Sequence, residues 1–154
     1  MTDNLLREYS LILFKPDAYE RNLTEIIMQE FSNANLEVVY HKKIRLTEKM
    51  LRKYQPLLNE PDDFGETAWQ YDIINAYTKE TTDVFLFQGV DAIKKTNKIK
   101  QDIRNKYITG ENKYIIYNLL HSVDDFADLK LNMSALMPEK LYLIEKDEKY
   151  ETTD

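Results

Sequence analysis

The 154-residue chain contains no cysteine, so neither a disulfide nor a thiolate metal site can be built from it. Three glycines, Gly65, Gly89 and Gly110, are too few and too scattered for a GxGxxG or GxxxxGK loop. A backbone cradle for phosphate is therefore excluded, and side chains would have to grip any nucleotide. No apolar stretch approaches the roughly 20 residues of a membrane span, and residues 1–7 lack the apolar core of a signal peptide. Positive charge is in deficit: 21 Lys and Arg against 27 Asp and Glu leave a formal charge of −6. That argues against a broad nucleic-acid groove but not against a small cationic pocket. The expectation is a soluble, cytoplasmic protein with no membrane or nucleic-acid partner.

Hydrophobic residues make up 43% of the chain, enough for one core. One domain over residues 1–144 is expected, with a charged, frayed tail over 145–154. Residues 9–14 are apolar on both faces, as in a central strand. Asn22 is placed to cap a helix whose stripe is Leu23, Ile26, Ile27 and Phe31. A second strand runs from Leu36 to Leu46. Thr47 is a natural N-cap for a helix through Met50, Leu51, Tyr54, Leu57 and Leu58. Pro61 to Gly65 reads as a loop, and Trp69, Ile73, Ile74 and Tyr77 return to helical spacing. Val84 to Phe87 is a third strand, closed by Gly89, and Asp91 to Gln101 a lysine-rich helix. A polar excursion over 105–113 precedes a fourth strand, Tyr114 to Leu120. Asp124 or Asp125 starts a last helix through Phe126, Leu129 and Met133. Four strands with helices between them predict an α/β (α+β) sandwich of the ferredoxin-like kind, one antiparallel sheet with helices on a face.

Two strand ends carry chemistry. The first apolar run stops at Lys15-Pro16-Asp17-Ala18, and the fourth ends in His121, one of only two histidines. An imidazole is part protonated and part nucleophilic near neutral pH. Lysine and histidine at neighbouring strand ends suggest an anion site containing a nucleophile. Each residue also has a plainer reading. A histidine beside an apolar run is usually structural. Tyr54 and Trp69 fit a core, and Lys15 a solvated strand end. Arg104 could serve only to pair with Asp102 or Glu111, and the lysines at 94, 95, 98 and 100 could form a solvated helix face. His41 has no such context and reads as a surface residue.

The stretch Leu11-Ile12-Leu13-Phe14-Lys15-Pro16-Asp17-Ala18-Tyr19-Glu20-Arg21 resembles the first strand and KPD turn of the nucleoside diphosphate kinases. Asn118-Leu119-Leu120-His121 resembles the family's Asn-Ile-Ile-His segment, which carries its catalytic histidine. Lys53-Tyr54, Phe87-Gln88-Gly89-Val90-Asp91-Ala92-Ile93, Ile103-Arg104 and Pro138-Glu139 follow the family's order, over about residues 8–140. The resemblance implies ping-pong transfer of a γ-phosphate from a nucleoside triphosphate to a diphosphate through phosphohistidine on His121. It implies nucleotide contacts from Lys15, Tyr54, Arg104 and Asn118, with Mg²⁺ carried on the phosphates and no metal held by protein side chains. ATP, ADP, GTP and deoxynucleoside diphosphates are the implied partners. The base clamp falls on Trp69, with Phe64 as its competitor. Lys15 would supply a point charge and Arg104 a fork.

Four departures accompany the likeness. The family's loop between the Gly89 segment and Arg104 is shortened; it normally carries a phosphate-binding arginine and a threonine. Thr96 is the surviving threonine, the arginine position falls on Asn97, and Lys98 or Lys100 is left to substitute. The glutamate that orients the histidine becomes Asn132. Ser122-Val123 displaces a hydroxyl by one position, and extra residues precede the fourth strand. The loop also helps pack subunits around a threefold axis, so a homo-oligomer is expected as a dimer rather than a hexamer. Asn132 and the missing arginine motivate an alternative: a weakly active family member that binds nucleotide or acts as a scaffold.

Overall fold

The computed structural model describes residues 7–55, 68–108 and 118–145, without the side chains of residues 68 and 69. Four strands form one sheet: β1 (Arg7–Phe14), β2 (Glu37–Ile44), β3 (Thr82–Val90) and β4 (Leu120–Ser122). Their order is β2-β3-β1-β4, and every pairing is antiparallel. The helices are α1 (Pro16–Glu20), α2 (Thr24–Asn33), α3 (Glu48–Tyr54), α4 (Ala68–Thr78), α5 (Ala92–Tyr107), α6 (Phe126–Leu136) and α7 (Tyr142–Glu145). This is the ferredoxin-like architecture expected from the strand and helix order.

The helices cover both faces rather than one. Side chains alternate along a strand, so β1 sends Leu11 and Leu13 to one side and Ile12 and Phe14 to the other. Leu11 and Leu13 pack with Leu51, Tyr54, Ile73, Leu129 and Met133 of α3, α4 and α6. Ile12 and Phe14 pack with Ala18, Ile27, Phe31, Ala92 and Ile103 of α1, α2 and α5. A central strand that is apolar on both faces requires this two-sided cover.

Several boundaries differ from the expectation. Asn22 caps nothing: its φ is +55°, it links α1 to α2, and Leu23 is the residue at the N-cap. The KPD turn forms the short helix α1. Thr47 does cap α3, its hydroxyl accepting from Met50 N–H at 3.1 Å. Of the two aspartates before α6, Asp125 is the cap, accepting from Asp128 N–H at 2.8 Å. Helix α5 continues past Gln101 to Tyr107, because apolar or stem-burying positions at Ala92, Thr96, Lys100 and Ile103 keep one face against the sheet. His121 lies within β4, not beyond the end of a strand. Residues 56–67, 109–117 and 146–154 lie outside the described residues. So do the loop at Pro61–Gly65, the stretch 114–117 of the expected fourth strand and the tail.

Candidate active site

Strand register brings the first two site residues together. Leu13 of β1 faces His121 of β4, so His121 shares the face of Leu13 and meets α3 and α6. Lys15 follows β1 directly, and its backbone N–H donates to Leu119 O at 2.9 Å. The Lys15 side chain is 4% exposed and its ammonium donates to Asn118 Oδ1. Beside it, Leu119 holds a φ of +75°, an uncommon conformation for a bulky side chain. Its N–H is held by the Asp17 carboxylate at 3.1 Å. The lysine and aspartate of Lys15-Pro16-Asp17 thus fasten the turn that presents His121.

The imidazole is oriented from one side. Asn132 Nδ2 donates both to the Asp128 carbonyl at 2.8 Å and to Asp128 Oδ1 at 3.0 Å. Its oxygen therefore faces the ring, and His121 Nε2–H donates to it at 2.8 Å. That leaves the lone pair on Nδ1, which Gln55 Nε2 approaches only to 3.5 Å. The Tyr54 ring lies 5.1 Å from the imidazole, centroid to centroid. Among the described residues, the Tyr54 hydroxyl is the one buried side-chain polar atom without a partner. Burial pushes its ionisation upward, so it stays a neutral donor.

Three cations surround this histidine. Helix α5 carries Lys100 and Arg104 on one face, one turn apart. Arg104 Nε donates to Asn118 O at 3.0 Å and Nη2 to Leu120 O at 2.6 Å. Part of the fork expected for phosphate therefore braces the edge strand, whose carbonyls need a donor. Lys100 is 8% exposed and makes no hydrogen bond or ion pair among the described residues. Burial first, then Arg104 and Lys100, push the Lys15 ammonium down to about 7, against the pull of Asp17. Burial and then Arg104 lower Lys100 as well. Burial, then Lys15, Lys100 and Arg104, hold the imidazole down to about 3 despite the Asn132 bond. At neutral pH this is a neutral imidazole in a pocket of excess positive charge, a setting that favours a polyanion.

Other expected residues lie elsewhere or unseen. Thr96 has no exposure; its hydroxyl bonds Ser10 Oγ at 2.7 Å and Ile93 O at 3.0 Å. It fastens α5 to β1 and has no surface to offer a phosphate, because the continuous helix turns it toward the sheet. Asn97, one residue on, accepts from Ser122 Oγ at 2.9 Å, beside His121. Lys98 is exposed and pairs with Asp102 at 3.0 Å, which leaves Lys100 as the cation facing the site. The Trp69 side chain and Phe64 lie outside the described residues. His41 is a surface residue stacked on Phe85 at 4.4 Å and bonded to Asp83 at 2.7 Å. Asp128 carries no signal in the sequence as a site residue, whereas Asp17 stands out only as part of the KPD turn.

A family model, nucleoside diphosphate kinase, matches residues 8–141. The chain belongs to the nucleoside diphosphate kinase family. The nucleoside diphosphate kinase of Erythrobacter litoralis is 30% identical over 143 residues, covering 86% of this chain and 94% of that protein. That of Gluconobacter oxydans is 32% identical over 92 residues, covering 60% of this chain and 61% of that protein. The chain thus spans about three-fifths of the length of the Gluconobacter relative and nearly all of the Erythrobacter one. A nucleoside diphosphate kinase of Borrelia burgdorferi, a transition-state mimic with bound vanadate and ADP, superposes with a TM-score of 0.71. It is 20% identical and covers 86% of this chain and 88% of that one, which shows a shared fold. The structure of a halophilic family member from Halobacterium salinarum in complex with CDP gives a TM-score of 0.70 at 18% identity, covering 86% and 88%. Within this nucleoside diphosphate kinase fold, the segment between Gly89 and Arg104, expected to hold a shortened loop, is almost entirely the unbroken helix α5.

Proposed function

We propose that this chain is a working nucleoside diphosphate kinase that carries phosphate on Nδ1 of His121. One observation supports this most: a neutral imidazole, its Nε2–H pinned by Asn132, sits among Lys15, Lys100 and Arg104. Phosphoryl transfer asks a protein mainly for in-line placement and for neutralisation of charge on the phosphate oxygens. Nδ1 supplies the lone pair. Lys15 and Lys100 supply charge to the terminal phosphate, and the Tyr54 hydroxyl a neutral donor. Arg104 contributes charge while holding the backbone at Asn118 and Leu120. Asn118 orients Lys15 and adds a polar group toward the sugar. Among the described residues no three His, Asp or Glu side chains converge to hold a metal. Mg²⁺ is proposed to arrive on the nucleotide's own phosphates, where it would offset their negative charge.

ATP, GTP and other nucleoside triphosphates are the proposed donors, and ADP and deoxynucleoside diphosphates the acceptors. Trp69 or Phe64 is the proposed base clamp, tolerant of any base because every base has a π-face. The chain is proposed to act in the cytoplasm as a homo-oligomer, a dimer before a hexamer, because α5 replaces the loop of the threefold contact. A light-scattering mass matching a hexamer would overturn that assembly. The weakly active alternative rested on Asn132 and the absent arginine, yet Asn132 holds the ring and Lys100 supplies a cation.

Incubation with ATP radiolabelled at its γ-phosphate should place an acid-labile label on His121, released by an unlabelled nucleoside diphosphate. His121→Ala should lose the label while still binding ADP. A wild-type protein that binds ADP and takes no label would refute the reading.

A further inference from the structure

We propose that Asp128 is a positioning residue for transfer through His121, acting through the amide of Asn132. The inference rests on the phosphohistidine reading and extends it to a residue that reaches the imidazole only through the Asn132 amide.

The geometry is a chain of three groups. The imidazole Nε2–H donates to Asn132 Oδ1 at 2.8 Å, and the same amide donates to Asp128 Oδ1 at 3.0 Å. The other carboxylate oxygen accepts from Asp124 N–H at 3.0 Å. The carboxylate is therefore fixed at both oxygens, in the first turn of α6, behind the Asp125 cap. Asn132 cannot rotate its amide without setting its NH₂ group against Nε2–H and its oxygen against two acceptors on Asp128. The side chain of Asn132 is fully buried, so water cannot take over either role.

The chemistry explains why a carboxylate matters there. As the nitrogen–phosphorus bond forms, the Nδ1 lone pair enters it. The bond from that phosphorus to its bridging oxygen breaks, and the electron pair leaves with the nucleoside diphosphate. No proton leaves the ring, because Nε2 keeps its hydrogen. Positive charge therefore develops on the imidazole, already amid Lys15, Lys100 and Arg104. A lone amide oxygen meets that charge only as a dipole. Bonded to a carboxylate, the amide is polarised and its oxygen becomes a better acceptor, since linked hydrogen bonds strengthen one another. Asp128 also brings one negative charge to the side of the ring away from the phosphate.

The test uses the full chain and Asp128→Asn, which removes the charge and keeps the backbone carbonyl. The expected result is a roughly tenfold lower kcat, the lower end of what loss of a supporting partner costs, with nucleotide KM unchanged. Asn132→Glu supplies the comparison, because it brings a carboxylate straight to the ring. In that background Asp128→Asn should cost nothing or raise the rate, since two adjacent carboxylates repel. A folded D128N whose kcat stays within about twofold of wild type, or the same loss in both backgrounds, would sink the proposal. The equal loss would mark Asp128 as only a support for the entry to α6. Should D128N not fold, nitrogen NMR of wild-type His121 gives an independent reading. The hydrogen should sit on Nε2 at neutral pH, and a hydrogen on Nδ1 would overturn the arrangement. A wild-type protein that takes no label at His121 is a different result, the failure of the phosphohistidine reading itself.

Discussion

At the scale of single residues, the proposed place of Lys15 at the nucleotide phosphates would couple binding to protons. Its ammonium is pushed down to about 7 in the free protein by burial and by Arg104 and Lys100. A bound phosphate favours the charged form and raises that value again. Near pH 8 the free lysine is mostly neutral and the bound one charged, so ADP binding should take up protons. At pH 5.5 both states are charged and uptake should vanish. Calorimetry in buffers of different ionisation enthalpy checks this: a buffer-independent enthalpy at pH 8 would contradict it, and Lys15→Met should abolish the uptake. Much of the site was legible at this scale. Lys15 and His121 stand out as a cation and an imidazole beside apolar runs, and the structure brings them together. Thr96 was misread because its role depends on which way α5 faces, and a helix period alone leaves that open. Lys98 and Lys100 differ in sequence by two places and in burial by nearly everything, since 100° per residue turns one outward and the other to the sheet.

At the scale of elements, one short helix carries Tyr54 and depends on its cap. Helix α3 has seven residues and ends in Tyr54, with Gln55 at its C-cap, two of the groups that face the imidazole. Its Thr47 hydroxyl satisfies Met50 N–H at 3.1 Å. Thr47→Ala should cost about 1 kcal/mol of stability, read from denaturant midpoints, and should lower kcat further than that loss alone explains. An unchanged midpoint would show that packing of Leu51 and Tyr54 holds the helix without the cap. The caps at Thr47 and Asp125 were visible because Thr or Asp before an apolar stripe has a local cause. The mistaken cap at Asn22 has a local cause too: asparagine tolerates positive φ, and here that property serves a helix-to-helix turn. Gly89 is set by a neighbour instead. A Cβ there would lie 2.9 Å from Leu36 Cδ2 and 3.1 Å from Asn35 O, so any side chain would push the Leu36 side chain aside and crowd the backbone of the turn before β2 by a few tenths of an ångström.

At the scale of the whole molecule, the buried cations and imidazole make stability depend on pH. His121 titrates near 3 when folded and near 6.5 when unfolded. Between those values the unfolded chain binds more protons, so stability should fall as pH drops from about 6.5 toward 3. Lys15 acts in the same direction higher up: folded about 7 against 10.5 unfolded, it adds stability as pH rises through that window. Urea melts across pH should show both slopes; His121→Asn should flatten the lower one and Lys15→Met the upper. A His121→Asn variant with the wild-type acid slope would show that the ring is not buried uncharged.

Local patterns in the chain were enough to set β1, β2, β3 and the alternation of strands with helices, whereas β4, among the described residues, is Leu120–Ser122 and does not end at Leu120 as expected. Those patterns arise from neighbours a few positions apart, where periodicity and capping act. The family was reached by resemblance in the KPD turn and the Asn118-Leu119-Leu120-His121 segment. The cover on both sheet faces, the choice of Lys100 over Lys98, and the path from His121 through Asn132 to Asp128 were settled only in three dimensions. Burial and electrostatic coupling join Lys15 to Arg104 across most of the sequence, and such long-range fields leave no periodic trace along the chain.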